Sequence, residues 1–243
     1  RAVLGYENEI SRSMQSDCKG KQVWFTRLHD TDNGAFLRKD GMLCMAEDGV
    51  VTPFLAQKDV KLRGLHNIEN LLAAAAAVWG EVPVEAIRQV GSTFTGVEHR
   101  IEPVRTLDGV LYYNDSIGTS PTRTIAGLRS FDQKVILIAG GYDKHIPFDV
   151  LGPEVVAHVK LLVLCGATAD KIRASVENAP GYAPGKPEIL DVTPFTAAVE
   201  TARDRAQPGD VVTLSPACAA FDQFKNFAER GRFFKSIVNG WQE

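Results

Sequence analysis

Long hydrophobic runs are missing from this chain of 243 residues: no stretch reaches the roughly 18 consecutive apolar residues that mark a membrane-crossing helix. Cysteine is scarce, and Cys18, Cys44, Cys165 and Cys218 lie far apart. With no Cys-x-x-Cys and no Cys/His pairing at metal spacing, neither a zinc site nor a disulfide framework is indicated, and reduced thiols in a cytoplasmic protein are the expectation. An excess of basic charge is missing too: 27 Lys and Arg face 30 Asp and Glu, for a formal net charge of -3. Without a long basic run, nucleic acid is not the main partner. The phosphate cradle of an ATP enzyme is absent, since no Gly-x-x-x-x-Gly-Lys-[Ser/Thr] occurs, and Gly140-Gly141 lacks the third glycine of a dinucleotide fingerprint. Absent as well are an initiator Met, a signal peptide and a charged leader. The chain opens almost directly into Ala2-Val-Leu-Gly5, which reads as a strand already under way in a chain cut short upstream. What remains is ordinary for a soluble globular protein, 44% hydrophobic and 23% charged, and long enough for one large domain or two modest ones.

The first third reads as a short helix around 7–14 and a strand at 22–26. Three strand-like runs follow at 35–38, 42–46 and 50–54. Turns containing Asp40-Gly41 and Asp48-Gly49 separate the last three, so a three-stranded antiparallel meander is expected. Residues 66–79 are strongly helical and stop at Gly80, and Pro83 in a favoured first-turn position opens a second helix to about Val90. The texture changes near 94–97, giving expected domains of 1–96 and 97–243. A hairpin with Asp108-Gly109 at its turn opens the second. Short apolar strands at 135–139, 161–165, 188–192 and 211–215 then alternate with helical stretches. That alternation predicts an α/β fold with a Rossmann-like, doubly wound, mainly parallel sheet, preceded by a smaller α/β domain with the meander. The Pro/Gly-rich stretch 180–187 reads as a surface loop.

The most informative segment is Ser215-Pro-Ala-Cys-Ala-Ala-Phe-Asp-Gln-Phe-Lys-Asn-Phe-Ala-Glu-Arg-Gly231: a strand end, a tight small-residue loop and the start of an amphipathic helix. In open α/β sheets ligands sit at such strand ends. Two other loops end on the same expected edge, 113–122 with Ser120-Pro121 as cap and first turn, and Gly140-Gly-Tyr-Asp-Lys144. A helix dipole adds only about 0.3–1 kcal/mol toward an anion, whereas Lys144 against a carboxylate adds roughly 1.5–3 kcal/mol. Together they suggest a small-anion pocket, the alternative for Lys144 being a solvated surface lysine. Asn67 and Asn70 lie i and i+3 near a helix start, suited to pairing with an adenine edge, or else serving as a cap and a solvent-facing amide. Arg100, at the domain boundary, is a ligand residue or an exposed ion-pairing one.

Four motifs in one order, Gly64-Leu-His-Asn-Ile-Glu-Asn70, His99-Arg-Ile-Glu102, Asn114-Asp-Ser116 and the run 215–227, give the whole chain a resemblance to the Mur ligase family. Within that family it is most similar to the D-glutamate-adding branch. The last motif is specific to that branch, and the first two are shared with folylpolyglutamate synthases. The resemblance implies the end of a central ATPase domain (1–96) and a complete Rossmann-like domain that brings the amino acid (97–243). A UDP-sugar domain, the phosphate loop, the Mg2+ ligands and a carbamylated lysine are expected upstream. It implies an ATP-dependent amide ligase of peptidoglycan synthesis. ATP phosphorylates the carboxylate of UDP-muramoyl-alanine, and the D-glutamate amine attacks the acyl phosphate. The resemblance further implies that the full-length enzyme is a cytoplasmic monomer acting on small molecules, and that the isolated chain is inactive. It places Asn67 and Asn70 at the adenine, and Arg100 and Asp115 on the ribose and phosphate side. Thr119, Lys144, Ala220, Phe221 and Phe227 go to the D-glutamate carboxylates. Two departures bear on those contacts: Ile117 stands where relatives carry lysine, and Ala220 where they carry a serine hydroxyl. The alternatives are a ligase for a different amino acid and a non-catalytic nucleotide- or amino-acid-binding module.

Overall fold

A computed structural model describes residues 1–62 and 64–242. The chain divides into two compact units, Arg1–Thr95 and Gly96–Glu243. The first begins with β1 (Ala2–Gly5), α1 (Glu9–Ser13) and β2 (Gln22–Thr26). Asn8, not the expected Glu7, starts α1, its side chain accepting from the Ser11 N–H at 2.9 Å. β3 (Gly34–Leu37), β4 (Met42–Glu47) and β5 (Val50–Ala56) form the meander. The meander is only part of a sheet, however: β1, β2 and β3 run parallel, so that a five-stranded mixed sheet has the order β1-β2-β3-β4-β5. Parallel pairing leaves no short turn in the sequence to announce it.

α2 (Leu65–Val78) and α3 (Val84–Thr93) cover that sheet. The buried stripe Ile68, Leu72, Ala75 and Ala76 of α2 has helical spacing and packs with Val23, Ala35, Leu43, Met45 and Phe54. The cap of α2 is Gly64 at φ 90, so Asn67 lies inside the helix rather than capping it.

The second unit opens with the hairpin β6 (Glu102–Leu107) and β7 (Val110–Asn114), turning through Asp108 at φ 50 and Gly109 at φ 78. Then come α4 (Pro121–Leu128), β8 (Val135–Ala139), α5 (Leu151–His158) and β9 (Val159–Leu164). α6 (Ala169–Glu177), β10 (Glu188–Asp191), α7 (Phe195–Asp204), β11 (Val211–Leu214) and α8 (Phe227–Gly240) complete it. The six-stranded sheet has the order β10-β9-β8-β11-β7-β6, parallel except for the β6 edge. Period-two alternation fills both faces. Val135, Leu137 and Ala139 pack with Leu128, Leu151, Val155 and Ile172 from α4, α5 and α6, while Ile136 and Ile138 pack with Ala198, Val199, Phe234 and Val238 from α7 and α8. Helices on both faces make this the doubly wound, Rossmann-like arrangement expected. No helix among the described residues is long and apolar enough to cross a membrane.

Candidate functional site

The carboxyl ends of β7, β8, β9 and β11 deliver their loops to one edge, and backbone hydrogen bonds knit those loops together. Gly140 N–H donates to Pro216 O at 2.9 Å and Tyr142 N–H to Ala219 O at 3.0 Å. Thr168 Oγ1 accepts from Gly141 N–H at 3.1 Å and lies 3.0 Å from Cys218 Sγ. Gly141, at φ 148, has its α-carbon so close to Ala219 O that a Cβ would collide with it. The loop bearing Lys144 and the loop bearing Ala220 are therefore one structure. The second is not the tight connection its small residues suggest, since it runs from Ser215 to Asn226, whose side chain caps α8 by accepting from Glu229 N–H at 2.8 Å.

Behind these loops lie two buried polar assemblies. In the first, Asp115 Oδ2 accepts from Ser215 Oγ at 2.6 Å and Oδ1 from Ile101 N–H at 3.1 Å. Ser215 Oγ is also 3.0 Å from Thr124 Oγ1, which accepts from Ala217 N–H. Burial pushes the Asp115 carboxyl up to about 6, against the opposing pull of the Ser215 and Ile101 donors, Arg100 and Arg123. In the second, Arg230 is 2% exposed on α8. Its Nε donates to Ser116 Oγ and Nη2 to Ser116 O and Cys218 O, each at 3.0 Å, while Nη1 donates to Ala219 O at 3.1 Å. Sequence reasoning passed over Arg230, although the signal existed: it occupies a core position in the helical stripe Phe227, Arg230, Phe234, Val238.

Beside them, Asn114 Oδ1 accepts from Ser116 N–H, so its Nδ2 donates to Glu102 Oε2 and to His99 Nδ1, both at 2.9 Å. That places the His99 proton on Nε2. Burial holds the His99 imidazole below its ordinary range. Glu98, His99 and Glu102 cluster as metal ligands would, within 4.8 Å of one another. They do not fit a divalent cation: Nε2 carries its proton, and Lys235 Nζ already bridges Glu98 Oε1 and Glu102 Oε1 at 2.8 Å each.

Of the residues picked from the sequence, Thr119, Lys144, Ala220, Phe221 and Phe227 all belong to the second unit's knitted loops or to the first turn of α8. Lys144 is exposed, and among the described residues nothing pairs with its ammonium, whereas neighbouring Asp143 is held by Lys171 and accepts from His145 N–H. Phe221, 62% exposed, meets Tyr142 edge-on with centroids 5.8 Å apart. Phe227 is half-buried edge-on to His99 at 5.9 Å, so it also serves the domain's own packing. Thr119 is half-buried, and Ala220 is buried. Arg100 is exposed. Asp115, by contrast, is 5% exposed and spends both oxygens within its own domain. Ser120 stands at the cap position of α4 with Pro121 at the first turn, but its hydroxyl faces Thr122 Oγ1 and makes no capping bond. In the first unit, Asn70 Nδ2 donates to Asn67 Oδ1 at 3.1 Å, which makes the pair one polar edge on α2.

Residues 99–218 match the family model described as Mur ligase, glutamate ligase domain. The chain is 50% identical, over 98% of its length, to UDP-N-acetylmuramoylalanine--D-glutamate ligase of Acetivibrio thermocellus, and it covers 52% of that protein. It thus spans about half the length of the curated relatives it matches. Among solved structures, a pseudomurein peptide ligase type C from Methanothermus fervidus superimposes with TM-score 0.65 at 13% identity, over 98% of this chain and 56% of that one. A Mycobacterium tuberculosis folylpolyglutamate synthase complexed with ADP does so with TM-score 0.65 at 13% identity, over 93% and 52%. These likenesses support the fold, and the sequence match carries the relationship: residues 99–218 of the second unit belong to the Mur ligase, glutamate ligase domain family, and the chain along its length is similar to the D-glutamate-adding ligases.

Proposed function

We propose that this chain belongs to an ATP-dependent amide ligase that joins D-glutamate to UDP-N-acetylmuramoyl-L-alanine in peptidoglycan precursor synthesis, a cytoplasmic reaction on small molecules by a monomeric enzyme. On this reading residues 97–243 deliver the amino acid and residues 1–96 are the end of the ATPase domain. The observation that carries it is an exposed Lys144 ammonium, unpaired among the described residues, on a loop pinned to the one that holds Ala220 and Phe221. A substrate with two carboxylates suits such an edge. Lys144 holds one carboxylate by a charge-assisted hydrogen bond, and the Thr119 hydroxyl and Ala220 N–H orient the other. Phe221 and Phe227 line the walls and exclude water. The amine is left free to attack, so the chain's contribution is positioning and electrostatics rather than covalent chemistry.

ATP, with Mg2+, supplies the phosphoryl group that activates the acceptor carboxylate. Asn70, exposed and braced by its hydrogen bond to Asn67 Oδ1, offers its own carbonyl oxygen and second amide hydrogen to adenine, with Asn67 behind it. Arg100 offers a cation to the phosphate side, while Asp115, buried with Oδ2 on Ser215 and Oδ1 on Ile101, serves that side by holding the loop and the Ile101 backbone beside Arg100 rather than by bonding a ribose hydroxyl itself. The cluster of Glu98, His99 and Glu102 is not assigned to Mg2+, for the reasons of tautomer and Lys235 pairing above.

The test is to express the complete reading frame containing these residues and follow ADP release with UDP-muramoyl-alanine and D-glutamate, L-glutamate, L-lysine or glycine. Selective turnover of D-glutamate is expected, with Lys144→Ala raising its KM roughly 10- to 100-fold, from the roughly 1.5–3 kcal/mol of a charge-assisted bond. Turnover of another amino acid in preference, or an unchanged KM in the variant, refutes the assignment. The 243-residue chain alone, having no phosphate loop, is expected to release no ADP.

A further inference from the structure

Arg230 is a buried cation whose hydrogen-bond acceptors are all neutral: Ser116 Oγ and the carbonyls of Ser116, Cys218 and Ala219. Among the described residues no carboxylate bonds to it, and the acid whose field reaches it, Asp222, is exposed. Burial lowers its pKa only to about 10, so it is cationic at neutral pH. Burying an ion without a counter-ion is costly. A methionine would fill the same space in a helix stripe without that cost.

The position of the charge suggests its use. Its donors reach the loop after β7 and the loop after β11, and a Cβ on Gly141, in the loop after β8, would lie 3.2 Å from Nη1. Those are the loops of Thr119, Ala220 and Lys144. Ala219 O is saturated from two sides, by Arg230 Nη1 at 3.1 Å and by Tyr142 N–H at 3.0 Å. The same peptide unit ends in the Ala220 N–H, for which no acceptor is found among the described residues. A cation and an amide drawing on the carbonyl end of a peptide polarise it, making its N–H a stronger donor. With a methyl in place of a hydroxyl at Ala220, that N–H is the donor this position retains.

We propose that Arg230 is a positioning residue for the amino-acid carboxylate: it locks the three loops in register and, through the Ala219–Ala220 peptide, primes the Ala220 N–H for an anion whose charge then offsets its own. This rests on the amino-acid ligase reading above. The residue touches no substrate and acts through the backbone.

The experiment uses the complete reading frame with Arg230→Met and Arg230→Lys, measuring KM for D-glutamate, KM for ATP, kcat and melting temperature. Arg230→Met is expected to raise the D-glutamate KM about tenfold or more while the ATP KM stays within about threefold, a charge-assisted interaction being worth at least that ratio. Arg230→Lys, which keeps the charge but loses the fork, is expected to recover part of the D-glutamate KM. An unchanged D-glutamate KM in both variants overturns the proposal. So does a parallel rise of both KM values with no recovery in Arg230→Lys, which is what a purely structural clamp gives. Should the variants fail to fold, the wild-type Arg230 Nε–H resonance decides. A shift that saturates with added D-glutamate supports the proposal, and a static resonance while Lys144 responds overturns it. Absence of D-glutamate turnover by the wild type removes the functional reading and this inference together, whereas wild-type turnover with insensitive variants removes only the inference.

Discussion

Asp115 offers a quantitative test of the site's electrostatics. Its carboxyl is 5% exposed and raised by burial from 3.8 to about 6. Between those values the folded state holds a proton that the unfolded state has lost, so stability falls as pH rises. The contribution is full below about pH 4 and lost on passing about pH 6. At about 1.4 kcal/mol per pH decade, the gap amounts to about 3 kcal/mol. The surroundings accommodate both forms. Ionised, Asp115 accepts from Ser215 Oγ at 2.6 Å; protonated, it donates to that oxygen, whose own proton turns to Thr124 Oγ1 at 3.0 Å. His99, whose pKa burial lowers, has the opposite slope below pH 6.5, because its native state resists protonation. The difference between wild type and Asp115→Asn cancels that term. The assay is urea-dependent hydrogen exchange resolved on peptides from β7, β8 and β11, which reports the second unit separately, at pH 4, 5, 6 and 7. Relative to Asp115→Asn, the wild type should lose about 2.4 kcal/mol across that range, since at pH 4 the unfolded carboxyl is already partly ionised. A flat difference would mean that Arg100, Arg123 and the two donors hold the carboxylate ionised despite burial, refuting the reasoning.

Two other outcomes follow from the same edge. A Cβ on Gly118 would lie 2.9 Å from both Asp115 Oδ2 and Ser215 Oγ, so Gly118→Ala should destabilise the second unit by about 1–3 kcal/mol in a denaturant melt and loosen the 115–120 loop. A change below a few tenths of a kcal/mol would show that the loop shifts freely. Burial pushes Cys165 up to about 12 and Cys218 up to about 11, while Cys18 is half-buried and Cys44 buried. Ellman's reagent at pH 8 should therefore titrate Cys18 promptly in the native chain and the other thiols only after denaturation, and fast reaction of Cys218 would contradict the packing of the 215–226 loop.

Much of the architecture was legible locally. Asp48-Gly49 and Asp108-Gly109 adopt the positive φ values that two-residue hairpin turns demand, the strand at Gln22–Thr26 follows from its β-prone Val-Trp-Phe-Thr run, and the helix at Leu65–Val78 from helix propensity. Family motifs led to the strand-end loops. They did not reveal that β1 and β2 extend the meander in parallel, or that β11, late in sequence, inserts between β7 and β8. Nor did they show that Asp115 turns inward or that Arg230 sits beneath the site.

The sequence by itself determined which segments become strands, helices and turns, because backbone sterics and the spacing of apolar side chains act over a few residues. The tertiary structure alone decided which strands become neighbours and which polar side chains are buried together. Ser116 meets Arg230 across a sequence separation of 114, and Asp115 meets Ser215 across 100. Those contacts form only once the two faces of the sheet are closed by helices and water is excluded. Desolvation then raises the carboxyl and lowers the arginine, in each case against the charged form.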